Sequence, residues 1–191
     1  MLTSLTELEA INQVLGGIGE TPVSSLANTG ITDMALARQM LTNVSRQVQS
    51  KGWHWNTDPE YTLVPTINDK FINLPADALR VDTVRDDIRV DVVKRGTRLY
   101  DRQNSTYQFD RSLKVSLTTF LPFDELPEAA KVYITMLARR RYQEDQLGSS
   151  DLSGFHKRDE LQAWADLLHA EAEDADFNMK MSPDIERTLL R

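Results

Sequence analysis

A chain of 191 residues, 40% hydrophobic and 27% charged, has room for one buried core, or one core with a sizeable insert, and the make-up of an ordinary folded protein. It has no cysteine, which excludes disulfides, thiolate zinc sites and cysteine nucleophiles. Its formal charge of −7 speaks against a free-standing nucleic-acid-binding module, which carries a basic excess.

The N-terminal "MLTSLTELEA" lacks the basic start and unbroken apolar core of a signal peptide, and no apolar run is long enough to span a bilayer. The expectation is a soluble chain, made and kept in the cytoplasm of its producing cell. "SLTE" reads as a capping box, with Ser4 as the cap and Glu7 reaching back. Leu8, Ile11, Leu15 and Ile18 follow as one helical stripe. Gly16, Gly17 and Gly19 end that helix, and Pro22 confirms the stop. Residues 20–31 then form an ordered loop, since Val23 and Leu26 are too apolar for a free linker. A second helix starts at Thr32 or Asp33. Its stripe of Met34, Ala37, Leu41, Val44 and Val48 is the cleanest in the chain, and Gly52 closes it where a left-handed residue is wanted.

After Asn56 the period changes to two. "YTLVP" reads as a short strand and "FINLP" as an apolar segment stopped by proline. Ile88, Val90 and Val92 alternate with Arg89 and Asp91 in the charged stretch "RVDTVRDDIRVD". "KRGT" is a hairpin turn into "RLYDR", and Leu113, Val115, Leu117 and Thr119 line one face of a last strand. Helical period returns after Pro122. Pro127 and an acidic first turn mark the start of a third helix, with Ala129, Val132, Tyr133, Met136 and Leu137 as its buried side. The polar "SSDLSG" is a break before a fourth helix, striped by Leu161, Trp164, Leu168, Ala172 and Ala175.

The expected fold is α+β, mainly α: a four-helix bundle (residues 1–56 and 122–176) with a β-rich insertion (57–121) between helices 2 and 3, and a C-terminal tail (177–191).

No stretch carries a strong catalytic signature. "GGIGE" has the wrong spacing and position for a phosphate loop, and a helix stop explains it. His54, His156 and His169 have no helical metal partner, so no metal site and no cofactor are expected. The paired carboxylates Asp86–Asp87 and Asp124–Glu125, and the cluster from Glu171 to Asp176, are sequence neighbours. Such groups seldom face each other across a sugar, and the cluster reads as a solvated helix face. Arg139, Arg140 and Arg141 sweep most of a helix circumference. They either snorkel and pair within the chain or meet carboxylates of a neighbouring subunit. The tail residues Phe177, Met179, Met181, Leu189 and Leu190 are apolar with few local neighbours, which marks either a frayed end or a segment that orders on a partner.

Two motifs point further. "LEAINQVLGGIGETPVSSL" and "ALARQMLTNVSRQVQSKGWHWN" share an Ile-Gly-Glu-x-Pro-Val-x-x-Leu loop and a helix ending Arg-x-x-Gln-x-x-Gly-Trp-x-x-Asn. In this chain these are Ile18, Gly19, Glu20, Pro22, Val23 and Leu26, then Arg46, Gln49, Gly52, Trp53 and Asn56. "LVP", "LYDR" and "DELPEA" match downstream. On these residues the chain resembles the tail tubular protein A family of short-tailed bacteriophages (podoviruses of the Autographiviridae type), the head-to-tail adaptors or gatekeepers.

The resemblance implies a virion tail protein synthesised in the host bacterial cytoplasm. It implies a dodecameric ring joining the portal to the nozzle protein (tail tubular protein B), with the genome passing through unbound on ejection. It brings no catalytic residue. An acidic chain suits such a conduit, since a basic channel would hold the duplex. Ring contacts are heterologous, and Arg80, Arg85 and Arg89 are expected to face acids on a neighbour. The tail is expected to dock on the portal or an adjacent subunit. The alternative is a carbohydrate-active tail protein, with the tryptophan pair of "QSKGWHWN" stacking on sugar. The favoured reading makes Trp53 and Trp55 anchors where the helices meet the insert, with His54 turned to solvent. Gly19, Pro22, Gly52 and Pro127 are the other structural anchors.

Overall fold

The computed structural model describes residues 4–27, 32–84, 87 and 89–174. Within them the fold is α+β, with four helices and two small antiparallel sheets: α1 (Glu7–Gly16), α2 (Thr32–Gln49), β1 (Thr57–Leu63), β2 (Ala78–Thr83), β3 (Val92–Arg95), β4 (Arg98–Asp101), β5 (Leu113–Thr119), α3 (Glu128–Gln146) and α4 (Ser150–Asp174). No described helix is long and apolar enough to cross a membrane.

The buried apolar residues fall into two clusters. One is helical, built on α1, α2 and α3 with Ala163 and Leu167 of α4. The other lies among the strands, around Ile72, Leu99, Phe109, Leu113, Val115 and Leu117. The α2 stripe of Met34, Ala37, Leu41, Val44 and Val48 is buried as its spacing predicts. Three other helical readings shift.

The cap of α1 is Thr6, not Ser4: the Glu9 amide donates to Thr6 Oγ1 (3.3 Å) and the Thr6 amide to Glu9 Oε2 (2.9 Å). Both "SLTE" and "TELE" fit the capping pattern. Ser4 instead donates to Glu128 Oε2 (2.6 Å) and accepts from Lys131 Nζ (2.9 Å), and Glu7 pairs with Arg38 (2.9 Å).

Helix α3 is buried on more sides than one stripe predicts, because α1, α2 and α4 all pack on it. Ala130, Tyr133, Ile134, Leu137, Ala138 and Tyr142 are buried, while the predicted Ala129, Val132 and Met136 are half-buried.

In α4 the predicted phase is wrong. Leu161 and Leu168 are 57% and 45% exposed and Ala172 is exposed, while His156, Ala163 and Leu167 are buried. An alanine, a leucine and a histidine lie on the buried side, and Leu161 and Leu168 face out. The helix also begins inside the supposed break, at Ser150. Ala175 lies outside the described residues.

In the larger sheet β5 sits between β1 and β2; β3 and β4 form the smaller one. Strand β1 starts earlier than predicted and contains Pro59, tolerated because β1 is an edge strand and its register shifts between Asp58 and Tyr61. "FINLP" makes only isolated bridges, Phe71 with Gln108 and Asn73 with Arg98. The stretch 80–91 is not one alternating strand. Strand β2 ends at Thr83, Asp87 turns back on β5, and β3 begins at Val92. The β3–β4 hairpin forms as predicted, Arg95 opposite Arg98, with Gly96 at φ 61°. Strand β5 buries Leu113, Val115 and Leu117, but at its end Thr118 is buried and Thr119 half-buried.

Candidate functional site

The chain leaves the helices at residues 49–57 and returns to them at 119–121, and a clamp closes this crossing. Gln49, fully buried, accepts from the Leu121 amide (2.8 Å) and donates to the Leu121 carbonyl (3.0 Å) and to Ser45 Oγ (3.0 Å). Buried Asn56 accepts from the Trp53 amide (2.9 Å) and donates to the carbonyls of Gln49 (3.0 Å) and Thr119 (2.9 Å). Two carboxamides thus meet both the donor and acceptor needs of buried backbone, which an apolar side chain would leave unpaired. The Arg46 guanidinium lies 5.1 Å from the Phe120 ring centroid. Arg46, Gln49, Gly52, Trp53 and Asn56 therefore converge on one structural joint. Gly52 has φ 79°, and a Cβ there would sit 3.3 Å from Thr118 Oγ1.

All three tryptophans meet at this joint. Trp53 is 7% exposed and donates Nε1–H to the Val48 carbonyl (2.8 Å). It stacks on Trp55 (centroids 6.3 Å apart, 8° between planes) and meets Trp164 edge-on (5.7 Å, 74°). Tyr133 lies 4.9 Å from Trp164, and Lys51 Nζ caps that ring at 4.4 Å. Trp53, buried between Trp55 and Trp164, is a core ring and not a sugar platform; Trp55 and Trp164 are half-buried. His54 is exposed, as expected, and is also tied to α4: its amide donates to Glu171 Oε1 (2.7 Å) and its Nδ1 lies 3.1 Å from Glu171 Oε2. Glu171 is accordingly no member of a free solvated face; it ties the joint to α4.

The other anchor residues end helices. Gly19 (φ 82°) lets the Glu20 amide return to the Leu15 carbonyl (3.1 Å), and the loop after Pro22 is pinned by Asn12, which exchanges two hydrogen bonds with Val23. Pro127 is the N-cap of α3.

Two of the three consecutive arginines, Arg140 and Arg141, bond inside the subunit, while Arg139 Nε is buried without a hydrogen-bond partner. Arg140 pairs with Glu160 and with Glu144 (2.8 Å); the Glu160 hydrogen bond holds its guanidinium pKa above the usual value. Arg141 donates to Gln47 (2.6 Å). Arg139 crosses α1 at Gly17, where a Cβ would approach Arg139 Cγ to 2.7 Å. In the insert, Arg80 and Asp82 are both 62% exposed and 3.9 Å apart on β2, and Arg89 is exposed. Arg85, Phe177, Met179, Met181, Leu189 and Leu190 lie outside the described residues.

A cleft of about 530 Å³ among the strand loops is lined by Lys70, Asp101, Asn104, Asp110 and Arg111. Burial raises the Asp101 pKa, but hydrogen bonds from Asn104 and Gln103 outweigh it and leave the carboxyl below its ordinary value. The Lys70 hydrogen bond lowers Asp110 as well. Glycoside hydrolysis needs a carboxyl kept protonated as general acid, and these two are pushed the other way. Among the described residues, no group of three or more histidine and acidic side chains could hold a metal ion.

One surface escaped the sequence reading. The outward face of the β3–β4 hairpin carries Arg95, Arg98 and Tyr100. Arg95 lies 3.5 Å from the Tyr100 centroid, Tyr100 meets Tyr107 at 4.8 Å, Tyr107 meets Phe71 at 6.4 Å, and Arg98 covers Phe71 at 4.8 Å. The alternation in "KRGTRLYDR" was its available signal. Phe71 and Tyr107 reach it only through non-local bridges.

The family model described as "Tail tubular protein" matches residues 8–177. The protein named "Tail tubular protein A" of Klebsiella phage KP34 is 32% identical over 150 residues, spanning 78% of this chain and 75% of that protein.

Proposed function

Because the chain belongs to the tail tubular protein family, and is thus a structural component of the phage tail in the virion rather than an enzyme, we propose that it is a ring-forming adaptor. In this reading it joins the portal to the nozzle protein, tail tubular protein B, as a dodecamer, and forms part of the conduit for the ejected genome. The four helices act as a bundle (residues 1–56 and 122–176), the strands as an insert (57–121), and residues 177–191 as a docking tail.

The observation that carries the reading is the joint. An adaptor transmits position between two different partners, so its two parts need a fixed relation. Gln49, Asn56 and the tryptophan cluster supply one, bonding both chain crossings to each other. The net charge of −7 supports passage of DNA without binding, since an acidic wall repels the duplex. Exposed Arg80 and Arg89 remain candidates for pairing with a neighbouring subunit, and Arg85 joins them by its place in the sequence. The intra-subunit bonds of Arg140 and Arg141 give these two a supporting role behind the contact.

Negative-stain imaging of the purified protein, alone and mixed with its portal and nozzle partners, tests the proposal. Closed rings seated on the portal are expected. A chain that stays monomeric with both partners present overturns the adaptor reading.

A further inference from the structure

We propose that the arginine–aromatic face of the β3–β4 hairpin is one half of the contact between neighbouring copies of this chain, and that the acidic row of α4 on the next copy is the other. The inference rests on the ring reading above and names the surfaces that would build it.

The first half is the hairpin face. Arg95 and Arg98 lie over Tyr100 and Phe71, and among the described residues neither guanidinium has a carboxylate partner. Arginine and tyrosine are the residue types on which binding energy concentrates at interfaces. A guanidinium already held over a ring is pre-organised to take a carboxylate in its plane.

The second half is α4, which has seven acidic residues against the two bases Lys157 and Arg158. Leu161 and Leu168 lie exposed along one stripe. Asp159, Asp166 and Glu173, spaced by seven, form a separate exposed row, about 160° around the helix from those leucines, and the 65% exposed Phe155 lies in line with it. Asp166 and Glu173 are held only by Gln162 and His169 on their own helix. The acidic row with its exposed phenylalanine and the basic, aromatic hairpin face complement each other in charge and in apolar content. Neither complements itself, since two hairpin faces would oppose arginine with arginine. The contact is therefore heterologous, the kind that propagates into a ring.

The absence of cysteine makes the test direct. The full-length Thr97→Cys/Ala170→Cys protein, at high concentration or assembled on the portal, is treated with a short bis-maleimide. A ladder of covalent multimers is expected, with each single-cysteine protein remaining uncrosslinked. Dimers from Thr97→Cys alone would place two hairpin faces together and overturn the inference, as would an assembled double variant that gives no ladder. Independently, Arg98→Glu should lower the assembled fraction about tenfold, and adding Glu173→Arg should restore it. Circular dichroism checks that each variant is folded. Assembly indifferent to Arg98→Glu, or loss without rescue, counts against the pairing. So does an Arg98-dependent affinity for duplex DNA or for the portal in place of self-contact. A wild-type chain that stays monomeric with its partners fails the ring reading itself. A wild type that assembles while the double variant does not crosslink fails only this assignment.

Discussion

The helical part and the strand-rich part use aromatic side chains in opposite ways. Trp53, Trp164, Tyr133 and Tyr142 fill or border the helical core, whereas Phe71, Tyr100 and Tyr107 lie half-exposed on the insert, whose own core is aliphatic but for Phe109. Buried polar groups divide similarly. In the helical part, Gln49, Asn56 and Lys131 tie segments far apart in sequence. In the insert, Asp101 holds its own turn through Asn104, and Asp87 reaches only as far as Arg111 and the Lys114 amide. Rings that fill a core are committed to stability; rings left on a surface, already stacked with arginines, are available for binding.

Truncating one ring from each region is the sharpest test. Trp53→Ala should cost about 3–5 kcal/mol in denaturant unfolding, as for other large buried aromatics. Tyr100→Ala should cost under about 1 kcal/mol, as for a residue outside the core. Equal losses would break the distinction. Asn56→Ala strands the Trp53 amide and two carbonyls, and about 3 kcal/mol of destabilisation is expected from buried groups left unpaired; a change below 1 kcal/mol would show that the joint is not held by this amide. Gly52→Ala forces a side chain into a left-handed conformation, and a loss of about 1–2 kcal/mol is expected.

The smallest effects are those of pH, and they separate the regions by titration. His156, between α4 and α3, has its pKa lowered by burial and by Arg139. The unfolded chain therefore binds more protons there, and the helical part should lose stability as pH falls below about 6.5. Asp87 has its pKa lowered by the Lys114 amide and by Arg111, against the upward push of burial. Its contribution is present above the unfolded value near 3.8 and is lost only as pH drops through the lower folded one. Tryptophan fluorescence reports the helical part alone, since all three tryptophans belong to it. Its unfolding midpoint should begin to fall near pH 6, and His156→Gln should flatten that slope. Asp87→Asn should leave it unchanged and reduce the acid dependence only below about pH 4.

The α2 stripe and the β5 alternation were legible because each element meets its core along one face. The α4 phase was misread for the opposite reason. Leu161, Leu168 and Ala172 form the more apolar stripe, yet α3 packs on α4 and the buried side bears His156, Ala163 and Leu167. Hydropathy ranks faces by their own side chains, and burial depends on what comes to lie against them.

The sequence by itself determined the order of elements, the change of period at Asn56 and its reversal at Pro122, the turn glycines and the family, since each is carried by local spacing or by a contiguous motif. Only the tertiary structure decided that Gln49 and Asn56 close the joint, that His54 belongs to Glu171, that Arg140 and Arg141 bond within the subunit, and that Phe71, Arg95, Arg98, Tyr100 and Tyr107 share one face. Those relations join residues between three and more than a hundred positions apart, and no local rule of spacing carries a contact that exists only once the chain has folded back on itself.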